Sequence, residues 1–273
     1  MRKRATPAVL VAVFLCMSGL ARSAESASKD RVIDSCADSN RTLLATWGRD
    51  GQHASEVPIW RAQDGNAFLF VSGLLIDADG APNAYNPDDT GLDELANAGS
   101  TKNWNGIVTD PRGNPLLQRE EDPFPGYYVS CTSLAEKSKR LSDPSRYVDA
   151  TKIPYIALPE AIAERGGARL GDLAFVVNLR NGKSSFAIYA DIGTLGEGSI
   201  ALAESLGISS NARRGGESDG VLYVVFPSSG NMNPRSADDI QGEGERLLSD
   251  SGGVDKLFSC GRHDDIAVSN GEF

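Results

Sequence analysis

Histidine is nearly missing from this sequence: two stand among 273 residues, with only four cysteines and three methionines. His53 and His263 lie in polar stretches near the chain ends and share no ligand spacing with a cysteine, so no zinc site is expected. Phosphate loops and dinucleotide fingerprints are absent, which removes the usual nucleotide-dependent chemistries, and no cofactor is expected. Ser199 lies in GEGSIA rather than in the G-x-S-x-G elbow of serine hydrolases. Cys131 beside either histidine would make a thiol hydrolase, but no local motif supports that pairing. There is also no internal repeat, no low-complexity tract and no linker that would demand two domains.

Long hydrophobic runs are lacking too. The apolar stretch from Ala8 to Leu20 is shorter than the roughly 20 residues that span a bilayer. It follows Arg2, Lys3 and Arg4 and precedes small residues that suit cleavage between Ser23 and Glu25, the order of a signal peptide. Residues 1–24 are therefore expected to be removed on export, leaving one domain over 25–273 with its core at about 33–262. The mature chain is expected to be secreted or periplasmic, monomeric and without a membrane anchor. Cys16 lacks the small residues that precede a lipidated cysteine. Cleavage takes away Arg2, Lys3, Arg4 and Arg22 and no acidic residue, so a net charge of −10 becomes −14. Such a surface disfavours nucleic acid and anionic lipid and concentrates cations, including a cationic polymer, although a generic soluble surface is acidic as readily.

Cys36, Cys131 and Cys260 remain after cleavage, an odd number in a compartment where disulfides form. One internal bridge is the most they allow. Cys36 and Cys260 lie near opposite ends of the mature chain, and termini often meet in space, so these two are expected to pair and Cys131 to stay a buried thiol.

What is present is a set of short apolar segments punctuated by Gly, Pro, Asn and Asp: Val57 to Trp60, Ala67 to Ile76, Trp104 to Val108, Tyr127 to Cys131 and Pro154 to Leu158. DLAFVVNLR and KSSFAIYAD are β-branched or aromatic runs joined through Asn181 and Gly182, a hairpin signal. Short helices are predicted at Leu92 to Ala98, Ser133 to Arg140, Ser199 to Leu206 and Ala237 to Leu248. The order strand, glycine turn, short helix in YADIGTLGEGSIALAESLG is compatible with a mainly β fold built on a compact six-stranded barrel of the double-psi type.

Within that stretch Asp191 and Glu197 stand six residues apart among Gly193, Gly196 and Gly198. Six extended residues would separate them by about 20 Å, but glycines allow the chain to fold back and turn both carboxylates toward one cleft. Burial between Ile188, Tyr189 and Ile192 would keep Asp191 protonated, while a helix N-terminus after Glu197 would favour its charged form. One acid and one base is the equipment of glycoside hydrolysis. On spacing alone the plainer reading is a glycine turn with one acid as helix cap and the other exposed at its edge.

Other segments bear on that choice. IDADG at Ile76 to Gly80, YVDATKIPYIALP at Tyr147 to Pro159, the pair Gly171 and Asp172, and YADIG followed by GEGSIALA at Tyr189 to Ala203 together resemble the glycoside hydrolase family 75 chitosanases, secreted enzymes that cleave the β-1,4 links of chitosan. The resemblance covers Asp77 to Glu204. It implies that Asp191 and Glu197 are catalytic, that the mechanism is inverting, and that the partner is a chitosan-like polysaccharide cut inside the chain. The loop between the two acids is shorter than in the fungal enzymes, and IDADG lacks their cysteine, as in a bacterial-type member. Action on another cell-wall glycan such as peptidoglycan, or a non-catalytic carbohydrate-binding barrel, are the alternatives.

Asp77 and Asp79, on a Gly-ended turn, are candidates for holding glucosamine ammonium groups, with an ordinary Asp-Gly turn as the plain reading. An EF-hand is excluded, because Gly80 is out of register and no Glu closes the loop. Tyr85, Trp104, Tyr127, Tyr128 and Tyr155 stand in Gly- or Pro-flanked segments suited to a sugar groove, with Trp104 beside Lys102 and Asn105 the best placed. Asp122 in EEDPFPGYY is a further candidate for substrate binding, or part of a solvated charge run.

Overall fold

The computed structural model describes residues 42–48, 56–62, 65–251 and 253. The signal peptide, Cys36 and Cys260, and both histidines lie outside them. Ten strands are formed among the described residues: β1 (Thr42–Trp47), β2 (Val57–Arg61), β3 (Phe68–Asp77), β4 (Gly99–Ser100), β5 (Asn103–Trp104), β6 (Tyr155–Leu158), β7 (Leu173–Asn178), β8 (Ser184–Ile192), β9 (Glu197–Ser199) and β10 (Glu217–Phe226). Three helices accompany them: α1 (Glu160–Gly166), α2 (Ile200–Ser205) and α3 (Ala237–Asp250).

Six strands close a barrel in the order β3, β10, β7, β8, β6, β9 and back to β3. Most neighbours are antiparallel, but β6 runs parallel to β8 and β9 runs parallel to β3. The hairpin β1–β2 extends the sheet outward from β3. The barrel strands β7 (LAFVVN) and β10 (with VLYVVF) are buried on both faces, which is why they read as continuous β-branched and aromatic runs rather than alternating ones. Phe68, Phe70, Leu74, Ile156, Leu173, Ile188, Tyr223 and Phe226 fill the core. Phe70 stacks on Tyr223 with ring centroids 4.7 Å apart, and the Tyr223 hydroxyl donates to the carbonyl of Gly73 at 2.8 Å, so the one polar atom of that buried ring is satisfied.

Residues 78–154, between β3 and β6, form a long excursion with the β4–β5 ribbon, two 3-10 turns (Leu95–Ala98 and Pro144–Arg146) and isolated bridges. It carries its own small cluster of Val108, Val129, Ala135 and Tyr147. Here the sequence-predicted helix over Ser133 to Arg140 is absent. The backbone instead pairs outward: Leu134 N–H donates to Ala190 O, Glu136 N–H donates to Arg146 O, and Ala135 bridges Tyr147. Tertiary pairing overrides a modest local propensity. The Leu92 to Ala98 helix shrinks to the 3-10 turn ending at Gly99, whose φ of 110° stops it.

The predicted hairpin is β7–β8, with Gly182 at φ 74°. It closes on a longer loop than a two-residue turn, because Asn178 N–H donates to Lys183 O. The helices expected near Ser199 and Ala237 are α2 and α3, capped by the side chains of Ser199 and Ser236. Helix α1 and strand β10 come in addition to those expectations.

Helix α3 lies over β7 and β8 through Ile240 and Gly244. A Cβ at Gly244 would overlap the Phe186 ring, whereas one at Gly242 meets nothing within 4 Å. Gly244→Ala is therefore expected to lower stability, because overpacking costs about 1–3 kcal/mol against about 1 kcal/mol gained in helix propensity. Gly242→Ala should raise it by up to about 1 kcal/mol. Urea melts of the two variants check this, and equal signs would overturn the packing account.

Candidate active site

Strand β6 lies between β8 and β9, so the chain must pass over it in the link Gly193 to Gly196. Gly193 N–H donates to Leu158 O at 3.2 Å, Gly196 adopts φ 83°, and its carbonyl accepts from Leu75 N–H at 2.8 Å. The crossing fixes where the two acids stand. Ala157 of β6 is paired with Asp191 on one side and with Glu197 on the other. Paired residues project from the same face of a sheet, and two strand spacings amount to about 9–10 Å, so Asp191 and Glu197 face one side across a single small residue.

That pairing depends on an irregularity. Ile156 pairs with Tyr189, but the next residue, Ala157, pairs with Asp191, so β8 carries one extra residue, Ala190. Without the bulge Ala157 would face Ala190, and Asp191 would project from the opposite face. Continuing the row, Glu197 pairs with Leu75 and Ser199 with Asp77, which brings the end of β3 to the same face. Exposed Leu75, Ser133, Ile192 and Gly193 mark where the acids reach solvent.

Asp191 is buried, and its Oδ1 accepts three hydrogen bonds: from Ser133 N–H at 3.0 Å, Ser133 O–H at 2.5 Å and Ile192 N–H at 2.8 Å. Burial pushes its carboxyl up to about 6 against the pull of those donors. Glu197 Oε2 accepts one hydrogen bond, from Thr194 N–H at 2.9 Å. Burial raises Glu197 to about 7, and the charges of Asp191 and Asp93 add to the rise. Glu197 belongs to β9, two residues before the Ser199 cap of α2, and its carboxyl accepts from Thr194 N–H behind it.

Asp77 and Asp79 join this cluster. Asp77 Oδ1 accepts from Asp79 N–H at 2.8 Å. Burial lifts Asp77 well above the ordinary carboxylate range, and the neighbouring Asp79, Glu197 and Asp191 lift it further. Asp79 is raised in the same way, by burial first and then by Asp191, although the Tyr85 hydroxyl donates to its Oδ1 at 2.7 Å. The same hydroxyl stands 3.3 Å from Asp93 Oδ2, and Tyr155 O–H donates to the Asp79 carbonyl at 3.0 Å. Tyr85 and Tyr155, read from the sequence as groove candidates, are thus buried supports beneath the acids.

The remaining candidates lie on the excursion between β3 and β6. Asp122 Oδ2 accepts from Arg119 N–H at 2.8 Å and so closes its own turn. Lys102 is exposed at the tip of the β4–β5 ribbon with φ 73°. Trp104 packs half-buried against Tyr128, with ring centroids 6.4 Å apart. Cys131 is a free, half-buried thiol that burial pushes up to about 12, which leaves no thiolate near neutral pH for nucleophilic attack. Sequence reasoning missed Ser133 and Asp93, which act on the acids from far along the chain, and Thr194, whose backbone N–H serves Glu197 within the turn and leaves no mark in residue type.

Residues 76–250, well over half of the chain, match the family model described as fungal chitosanase of glycosyl hydrolase group 75. No curated protein matches the chain.

A cluster of raised carboxyls has a consequence for stability. Where the folded pKa exceeds the unfolded value, the native state holds more protons, so stability falls as pH rises through that window. For Asp191 the window runs from 3.8 to about 6, a loss of about 3 kcal/mol by neutrality. Asp110 and Asp143, held low by hydrogen bonds, act oppositely below about 4. Thermal unfolding is expected to peak near pH 4–5 and decline toward pH 7.5. Asp77→Asn keeps the Oδ1 acceptor and should flatten that decline. A melting temperature that rises from pH 5 to 7.5 would contradict the burial described here.

Proposed function

Since the chain belongs to the chitosanases of glycosyl hydrolase group 75 and is thereby a glycoside hydrolase acting on chitosan, we propose that it cuts β-1,4 links inside the polymer with inversion, Glu197 donating the proton and Asp191 acting as base. The observation that carries this reading is the placement of the two acids on one face, flanking Ala157, with carboxyls raised to about 7 and about 6. Between those values the pair holds one proton. Glu197, with one donor on its carboxylate, keeps it, and Asp191, with three, stays ionised.

In that state Glu197 protonates the glycosidic oxygen as the C1–O bond breaks. Asp191 takes a proton from a water whose oxygen forms the new bond to C1 from the opposite face. The proton gained by Asp191 and the one lost by Glu197 are then exchanged with solvent. Two strand spacings between the acids suit a mechanism in which the carboxyls stand about 6.5–9.5 Å apart to admit a water. Asp77 and Asp79 support a cationic sugar in particular: an ammonium entering beside them would compensate the repulsion among neighbouring carboxylates that, after burial, helps to hold both acids well above the ordinary range. The charged start and apolar run of residues 1–24 support export to where the polymer is met.

The rate is expected to follow a bell with its maximum between about pH 6 and about 7. Asp191→Asn and Glu197→Gln should each lower turnover of chitosan oligomers by at least about a thousandfold, of the order expected for loss of an acid or base. A substrate with an activated aryl leaving group should recover turnover in Glu197→Gln but not in Asp191→Asn. Recovery in the reverse pattern would exchange the roles, and full activity of either variant on chitosan would end the assignment. NMR of the first product should show the α-anomer. Reducing-end release from chitosan, chitin and peptidoglycan distinguishes the substrate readings.

A further inference from the structure

Ser133 donates two hydrogen bonds to Asp191, and nothing in the sequence pattern marks it. It belongs to the excursion between β3 and β6, yet both its backbone N–H and its hydroxyl donate to Asp191 Oδ1, at 3.0 and 2.5 Å. Its neighbours anchor it there. Leu134 N–H donates to the carbonyl of Ala190, the bulged residue, at 2.8 Å. On the other side Thr132 Oγ donates to Leu134 O and accepts from Val148 N–H, tying the segment to the excursion. Residues 132–134 thus latch onto the bulge that turns Asp191 toward Glu197.

We infer that Ser133 is a positioning residue for the reaction: it holds Asp191 Oδ1, so that Oδ2 is the oxygen presented to the attacking water. The hydroxyl has one proton, and it goes to Oδ1. Its oxygen in turn lies 3.3 Å from Ile192 N–H, whose closer acceptor is the same Oδ1 at 2.8 Å. Three donors on one carboxylate oxygen occupy its lone-pair directions, and among the described residues none is placed on the other. The arrangement both orients the carboxyl and favours its ionised form, as a base requires. Ser133 itself is exposed, so the latch sits at the mouth of the site rather than in the core.

This inference rests on Asp191 being the base, and the test separates the two. Ser133→Ala keeps the backbone donor and removes the hydroxyl. It is expected to lower kcat on a chitosan oligomer roughly tenfold, as loss of one hydrogen bond to a charged group does, with KM little changed. The acid limb of kcat/KM should move up by about one pH unit, because Asp191 loses a donor to its charged form. Ser133→Thr retains the hydroxyl and should restore both, and thermal melts of each variant report folding. If Asp191→Asn is inactive but a folded Ser133→Ala matches the parent in kcat and in its acid limb, Ser133 has no positioning role. If kcat falls while the limb stays fixed, or threonine fails to restore it, the role is structural and the inference is overturned. If Asp191→Asn stays active, the catalytic reading itself has failed. Should Ser133→Ala not fold, Ser133→Cys, a weaker donor of similar size, is read in the same way: an unshifted acid limb would overturn the inference.

Discussion

Closure of the barrel by β9 is the constraint on which the rest of this structure depends. The strand is three residues long, yet it pairs with β6 on one edge and β3 on the other. To reach that slot from β8, the chain has to pass over β6 in a few residues, which is feasible only where backbone approaches backbone closely. Gly196 serves this step, with a positive φ and the Gly73 carbonyl where a Cβ would stand, while a Cβ at Gly193 would displace the Glu197 carboxyl. The carboxyls end up on either side of β6 because the strands that carry them do.

Electrostatics follow from that geometry. The charge of Asp191 helps to raise Asp77, Asp79 and Glu197, and that of Glu197 helps to raise Asp77 and Asp79, in a setting where burial is the largest cause of every shift. A fold gains nothing in stability from gathering carboxyls in this way, so the arrangement is informative about chemistry. What distinguishes the two catalytic candidates is the number of donors each receives. Among the described residues three donors meet Asp191 and one meets Glu197, and donors to the charged form lower a carboxyl's proton affinity.

The excursion between β3 and β6 is the other half of the site. It has little regular structure, but it contributes Ser133 to Asp191 and Tyr85 to Asp79, and it buries the acids that the barrel positions. A rigid barrel rim with a loop-borne cover places side chains accurately while allowing the cover to vary. In this division of labour the barrel sets the spacing of the acids, and the excursion adds two of the three donors on Asp191.

Much of this was legible in the amino-acid order. β-branched runs around Asn181 and Gly182, and the helical stretches expected at Ser199 to Leu206 and Ala237 to Leu248, depend on local backbone preferences and so appear as β7, β8, α2 and α3. The motifs around Asp191 and Glu197 pointed to the family because residue identity at short spacing is what a sequence records. Only tertiary structure decided the rest. The bulge at Ala190 that turns Asp191 to the working face is a matter of register between β6 and β8. Two of the three donors on Asp191 come from Ser133, 58 residues away in sequence, and no local dipole reasoning could place them there. Local patterning determines which elements form and which acids are present; pairing across β6 determines that those acids face one side two strand spacings apart, and contacts made by the folded chain determine how far each carboxyl is raised.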